Sequence, residues 1–180
     1  MKPSSRRRFA SPTALQRGFT IVELIVVIIV VGVLGAAAAS RFFERSASDS
    51  RTFADQGAAL VRYAQKLAIA QNRDVWVVLA SGGIKLCYSA ACTAPERVTA
   101  PGGSNTATSA TTDFCDGSSS WACEAPPSGL RFGTTTSFYF DAVGKPFATG
   151  GALAAPQAIS VIGGPAVRTF TVEMETGYVH

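Results

Sequence analysis

The sequence predicts an α+β fold: one long N-terminal helix, apolar in its first half and amphipathic in its second, packed on an antiparallel β-sheet of short strands. The expectation rests on the course of the residues along the chain. An apolar run fills residues 19–39, and no proline falls between Pro12 and Pro95. Beyond residue 73 the pattern changes to short strand-like segments divided by glycine turns. At 180 residues the chain has room for one domain and one further element.

The first 18 residues are basic. Lys2, Arg6, Arg7, Arg8 and Arg17 all precede Gly18, whereas residues 19–180 hold 11 Lys/Arg against 12 Asp/Glu. The net charge of +4 therefore belongs to the N-terminal tail and gives little reason to expect nucleic-acid binding. Lys and Arg before an apolar run stay on the cytoplasmic side, so the tail predicts orientation. The run of 21 residues at 19–39 corresponds to about 31 Å of helix, enough to cross a hydrocarbon core. A cleaved secretory signal is the competing reading, with the alanines at 36–39 as its cleavage region. The length of the run and Glu23 inside it both count against a signal core.

From residue 40 the helix is expected to continue to about residue 72 as an amphipathic segment. Phe53, Gly57, Leu60, Ala64, Leu67 and Gln71 recur at helical steps, while Asp55, Arg62, Lys66 and Arg73 fall off that stripe. Residues 73–180 are expected to be β-rich. VWVVLA at 75–80 and IKLCY at 84–88 flank Ser81-Gly82-Gly83 and read as a hairpin. Strand patterns return at LRF 130–132, SFYFD 137–141, AISVI 158–162 and VRTFTVE 167–173. Between them lie turns at Gly133, Gly144-Lys145-Pro146, Gly150-Gly151 and Gly163-Gly164-Pro165. Residues 89–129, rich in Ser, Thr, Gly and Ala, read as a long surface excursion, mobile over 99–112.

Gly18-Phe19-Thr20-Ile21-Val22-Glu23-Leu24, behind a basic leader and before a spanning apolar run, resembles the processing site of type IV prepilins and type II secretion pseudopilins. FDAVGKPF at 140–147 and TVEMETGYVH at 171–180 resemble segments of the GspH/FimT group of minor pilins and pseudopilins, the MSHA-type (mannose-sensitive haemagglutinin) minor pilins being most alike. The resemblance implies a type IV pilin-like fold and a leader, residues 1–18, that a membrane-embedded aspartyl peptidase removes after Gly18. The same enzyme would methylate the new amine of Phe19. Glu23 would then meet the N-terminus of an adjacent subunit during assembly, since a carboxylate in lipid is costly unless paired. The implied partners are this prepilin peptidase/N-methyltransferase, other pilins or pseudopilins in a filament, an inner-membrane assembly platform and membrane lipid. The implied location is the bacterial inner membrane, single-pass, with the C-terminal domain periplasmic, and then a pilus or pseudopilus.

Cys87, Cys92, Cys115 and Cys123 all follow the apolar run, on the expected oxidising side. Their spacings differ from the paired arrangement of zinc sites, and the one histidine is His180, so disulfides are expected and metal is not. Local pairing as Cys87–Cys92 and Cys115–Cys123 would pin both margins of the excursion; the two other connectivities stay open on sequence. Asp113 and Asp116 lack a calcium-loop pattern and read as solvated. No nucleophile–His–acid set and no phosphate loop occurs, so neither an enzyme nor a cofactor is expected. A DNA-uptake role of the FimT kind needs basic contacts to phosphate, and METGYVH at the C-terminus has no Lys or Arg.

Overall fold

The computed structural model describes residues 19–180, with the backbone alone for residues 37–45. The basic leader and Gly18 lie outside the described residues. The chain divides into two compact units, Met1–Ala39 and Ser40–His180. Helix α1, Ile21–Gln71, begins in the first and ends in the second.

In the first unit, Thr20 opens α1, and the apolar side chains that follow are solvent-exposed, from Ile21 at 80% to Val30 at 49%. Among the described residues no helix is long and apolar enough to cross a membrane. The expected span of 19–39 reaches past the residues whose side chains are described. Residues 37–39 are described as helical backbone only.

In the second unit α1 buries one face. Phe53, Ala54, Ala58, Leu60, Val61, Ala64 and Ala68 are buried, but Leu67 is only half-buried and Gln71 is exposed. The buried stripe is therefore rotated from the one expected on sequence, and its centre is Val61, Ala64 and Ala68, which are fully buried. Small residues on this line let the helix backbone approach the sheet closely. The helix stops at Asn72, which adopts a left-handed conformation (φ 51°), and Arg73 N–H donates to the Ala68 carbonyl across the end (3.2 Å).

The strands are β1 (Val75–Ala80), β2 (Gly83–Cys87), β3 (Cys123–Glu124), β4 (Leu130–Phe132), β5 (Phe138–Phe140), β6 (Pro146–Ala148), β7 (Gly151–Ala152), β8 (Gln157–Gly163) and β9 (Ala166–Val172). They form two sheets where one was expected, ordered β3-β2-β1-β5-β6-β7 and β4-β8-β9, and every pairing is antiparallel. In β1 burial alternates, so Val75, Val77 and Leu79 point into the core. Ala80 pairs with Gly83, which leaves Ser81-Gly82 as the hairpin turn. Ile84 and Leu86 of β2, Phe138 and Phe140 of β5, and Ile159 and Val161 of β8 complete one core with the helix stripe. Phe53 of α1 meets Phe132 of β4 with ring centroids 5.4 Å apart, so both sheets hold the helix.

The excursion at 89–129 is more ordered than its composition predicts. It contains a 3₁₀ turn, Ala94–Glu96, and a short helix α2, Ser109–Phe114, which overlaps the end of the stretch 99–112 expected to be mobile. Val98, Ala100, Trp121 and Ala122 are buried, and Thr99 bridges Trp121 across the excursion. A few large or well-placed apolar residues suffice because the segment folds back on β2 and does not extend into solvent. Val98 N–H donates to the Leu86 carbonyl (3.2 Å), and Leu86 N–H donates to the Ala122 carbonyl (2.9 Å).

Candidate functional site

The expected processing and assembly residues open α1. Phe19 and Thr20 lie outside the helix, and Phe19 is 79% exposed. The Glu23 backbone N–H donates to the Thr20 hydroxyl (3.2 Å), and the Leu24 N–H donates to the Thr20 carbonyl (3.2 Å). Thr20 is thus the N-cap and Glu23 the third helical residue. Thr-x-x-Glu is the spacing of a capping box, legible in the sequence, and Thr20 was the residue missed there. An acid in this first turn also faces the positive end of the helix dipole. Glu23 thus suits its own helix start, apart from the role expected for it between subunits. Gly18 lies outside the described residues.

The four cysteines form two bridges. Cys87 joins Cys92 with Cα atoms 5.2 Å apart, and Cys115 joins Cys123 with Cα atoms 6.0 Å apart. Cys115, Cys123 and Cys87 are fully buried and cluster with Trp121. The second bridge ties the C-terminus of α2 to β3. Trp121 donates its indole N–H to the Leu86 carbonyl (2.9 Å), with the Lys85 ammonium and the Arg97 guanidinium close to its ring system. Arg97 also pairs with Asp116.

Glu124 orders the rest of the excursion, and sequence reasoning missed it. Its carboxylate is buried and accepts from the Thr106 N–H (2.9 Å), the Thr106 hydroxyl and the Thr111 hydroxyl (3.2 Å). Fully buried Thr111 in turn accepts from Ala125 N–H (3.2 Å), and Thr108 caps α2 by accepting from Thr111 N–H (3.1 Å). Beside this network lies a cavity of about 420 Å³, bounded by Gln56, Leu60 and Tyr63 of α1 and by Pro101 and Asn105. The Tyr63 hydroxyl donates to the Thr99 carbonyl (3.1 Å); burial, and secondarily the nearby Tyr88, hold its pKa above the ordinary 10.0.

At the other side of the unit, two segments singled out in the sequence meet on α1. In the 140–147 turn, the Asp141 carboxylate accepts from Val143 N–H (3.0 Å) and Lys145 N–H (2.8 Å), and Gly144 has φ 84°. In the tail, Gly177 has φ 65°, and a Cβ there would overlap the Gly144 carbonyl and the Gln65 amide. The Gln65 amide donates to the carbonyls of both Gly144 (3.0 Å) and Thr176 (2.7 Å). Arg62 donates to the Val179 carbonyl (3.1 and 3.2 Å), and Lys145 pairs with Glu175 at 2.7 Å. The chain then returns along β9, with Thr171 and His180 exchanging backbone hydrogen bonds (2.7 and 3.0 Å). Among the described residues, no group of His, Cys, Asp and Glu side chains has an arrangement able to hold a metal ion.

Comparison with known proteins places one feature of this chain directly. A family model described as the prokaryotic N-terminal methylation motif matches residues 14–39. Among solved structures, the crystal structure of the type IV minor pilin FimU of Pseudomonas aeruginosa (strain PAO1) is similar, at 13% identity over 77% of this chain and 90% of that chain, with a TM-score of 0.48. No curated protein matches the sequence.

Proposed function

We propose that this chain is a minor pilin or pseudopilin, a structural subunit made as a membrane-anchored precursor and added to a type IV pilus or type II secretion pseudopilus at or near its tip. The observation that carries the reading is the prokaryotic N-terminal methylation motif at residues 14–39, set across the start of α1. In this reading the prepilin peptidase cuts after Gly18 and methylates the amine of Phe19. The leader stays cytoplasmic, residues 19–39 sit in the inner membrane, and residues 73–180 are periplasmic. Subunits of this kind are structural, and the work of assembly falls to an ATPase and a membrane platform supplied by other proteins.

Glu23 fits the role by its chemistry. It is the one ionisable side chain in residues 19–39, where an unpaired carboxylate is costly. Cleavage creates a cation at Phe19, and the amine of a neighbouring subunit gives Glu23 a partner that exists only after processing. Disulfides in the C-terminal unit suit an oxidising compartment.

Mass spectrometry of the mature N-terminus tests the proposal. The expected product begins at Phe19 and carries one added methyl group. A chain beginning elsewhere, or at Phe19 without the methyl group, refutes it.

A further inference from the structure

We propose that the cavity beside Glu124 is a cation site, which takes the ammonium group and aliphatic stem of a lysine presented by a partner protein. The site stands apart from residues 14–39, so it holds whether or not the N-terminal motif is processed.

Glu124 ends β3 and is 6% exposed. Buried charges are ordinarily paired with a charge of opposite sign. The Glu124 carboxylate has three hydrogen bonds, and all come from neutral groups of Thr106 and Thr111. Among the described residues, no Lys, Arg or His forms an ion pair with it. Strand β2 brings Lys85 into register with Cys123, one residue before Glu124. Successive residues of a strand point to opposite faces, and the Lys85 ammonium lies over the rings of Phe114 (4.4 Å) and Trp121 (5.1 Å). The carboxylate also keeps an acceptor position unused. A carboxylate offers about four such positions. The Thr106 N–H takes one on Oε1, and the two hydroxyls take those on Oε2.

The adjoining cavity of about 420 Å³ is lined by Glu124, by Gln56, Ala59, Leu60 and Tyr63 of α1, and by Pro101 among others. Glu124 is the single charged residue of that lining. Ala59, Leu60 and Pro101 supply apolar wall, and Gln56 adds an amide oxygen that can accept. One carboxylate among apolar walls suits a run of methylene groups ending in a single positive charge. Lysine fits better than arginine. Its ammonium is a compact point charge that can use one open acceptor position, whereas a guanidinium fork needs two. A free diamine fits less well, because its second ammonium would find no further acid in the lining.

The test uses the full chain in an uncharged detergent, with n-butylammonium as the probe, since it is the lysine side chain without its backbone. Binding is read from the amide resonance of Thr106, whose N–H donates to Glu124. Saturable binding is expected, roughly tenfold tighter than that of the neutral isostere n-butanol, as one charge-assisted hydrogen bond provides. Glu124→Gln should weaken n-butylammonium roughly tenfold and leave n-butanol unchanged. Ala59→Phe fills the cavity from an exposed helix position while keeping the carboxylate, and should abolish binding of both probes with the remaining amide spectrum intact. If Glu124→Gln does not fold, the n-butanol comparison and Ala59→Phe decide. n-Butylguanidinium and cadaverine should bind no tighter than n-butylammonium. Absence of a saturable shift overturns the inference, as does equal binding of n-butylammonium and n-butanol, which would make the cavity merely apolar. Undiminished n-butylammonium binding in a folded Glu124→Gln or in Ala59→Phe also overturns it. Tighter binding of cadaverine or of n-butylguanidinium overturns the assignment to lysine in favour of a free diamine or an arginine.

Discussion

Replacing Glu124 by alanine should loosen the excursion at 89–129, and the size of the effect follows from the bonds lost. The carboxylate accepts from the Thr106 N–H and hydroxyl and from the Thr111 hydroxyl. Hydrogen bonds to a charged group contribute about 1.5–3 kcal/mol each, but the three do not add. Thr106 is exposed, so water can replace the acceptor for both its groups. Thr111 is fully buried; Thr108 and Ala125 still donate to its oxygen, and its own proton can turn to the Thr106 hydroxyl (3.1 Å). The net loss is therefore about one charge-assisted bond together with the packing of the removed side chain, about 2–3 kcal/mol. For a unit of this size that corresponds to a fall in melting temperature of about 6–12 °C. Glu124→Gln keeps one accepting oxygen, and the Thr106 hydroxyl can turn to accept from its amide, so about half the loss is expected. The assay is thermal unfolding of residues 46–180 with amide exchange recorded at Thr106, Thr111 and Ala125. An unchanged melting temperature in Glu124→Ala, with the Thr106 amide still protected, would refute the account of how this segment is ordered.

The other predictions concern the tail, the helix, the bridges and assembly. Gly177→Ala places a methyl group against the Gly144 carbonyl and the Gln65 amide at a left-handed position, and should cost about 2–4 kcal/mol; Gly57→Ala, whose Cβ would meet Phe170 and Phe132 at 3.4–3.5 Å, should be neutral or stabilising by up to about 1 kcal/mol, and denaturant unfolding of both checks the pair. Because the Tyr63 pKa is raised in the folded state, its contribution is complete below the ordinary value of 10.0 and is lost as pH rises through the folded value; Tyr63→Phe should remove that alkaline slope, read as melting temperature against pH. Cys115→Ala/Cys123→Ala opens a bridge spanning 8 residues and should cost about 2.5 kcal/mol, more than Cys87→Ala/Cys92→Ala with its span of 5, and urea midpoints rank the two. Glu23→Val should still be cut but enter filaments poorly, which immunoblotting of sheared filaments measures; wild-type incorporation would show that no neighbour's amine needs this carboxylate.

The fold class was legible because it depends on periodicity, and periodicity survives in single residues. Alternation marks β1, where Val75, Val77 and Leu79 face inward, and the proline-free helical spacing marks α1. The centre of the helix stripe was harder to read. Val61 and Ala68 lie in the core and Gln71 outside it, a rotation that follows from having two sheets rather than one, with β4, β8 and β9 closing against Phe53 and Gly57. Strands β3, β6 and β7 were not legible at all. Cys123–Glu124 and Gly151–Ala152 have only two residues, and Pro146 at the start of β6 read as part of a turn.

The excursion shows why composition misleads over such a stretch. Low apolar content argues for disorder only when apolar burial is the sole source of order. Here order comes from polar groups with few alternatives. Thr111 is buried with every oxygen contact satisfied, Glu124 collects donors from both Thr106 and Thr111, and Trp121 spends its indole N–H on the Leu86 carbonyl. None of these pairings is visible in one dimension, since each joins residues that only the fold brings together. The N-terminal segment is the opposite case. Thr20 and Glu23 are three residues apart, and their contact is set by helix geometry alone, so the spacing of the two residues is enough to reveal the cap. What lies in the sequence of residues 17–35 is thus both the resemblance that marks a processing site and the local device that fixes where its helix begins. The carboxylate carried into the apolar run suits that local device, because an acid at the third helical position complements the positive end of the helix.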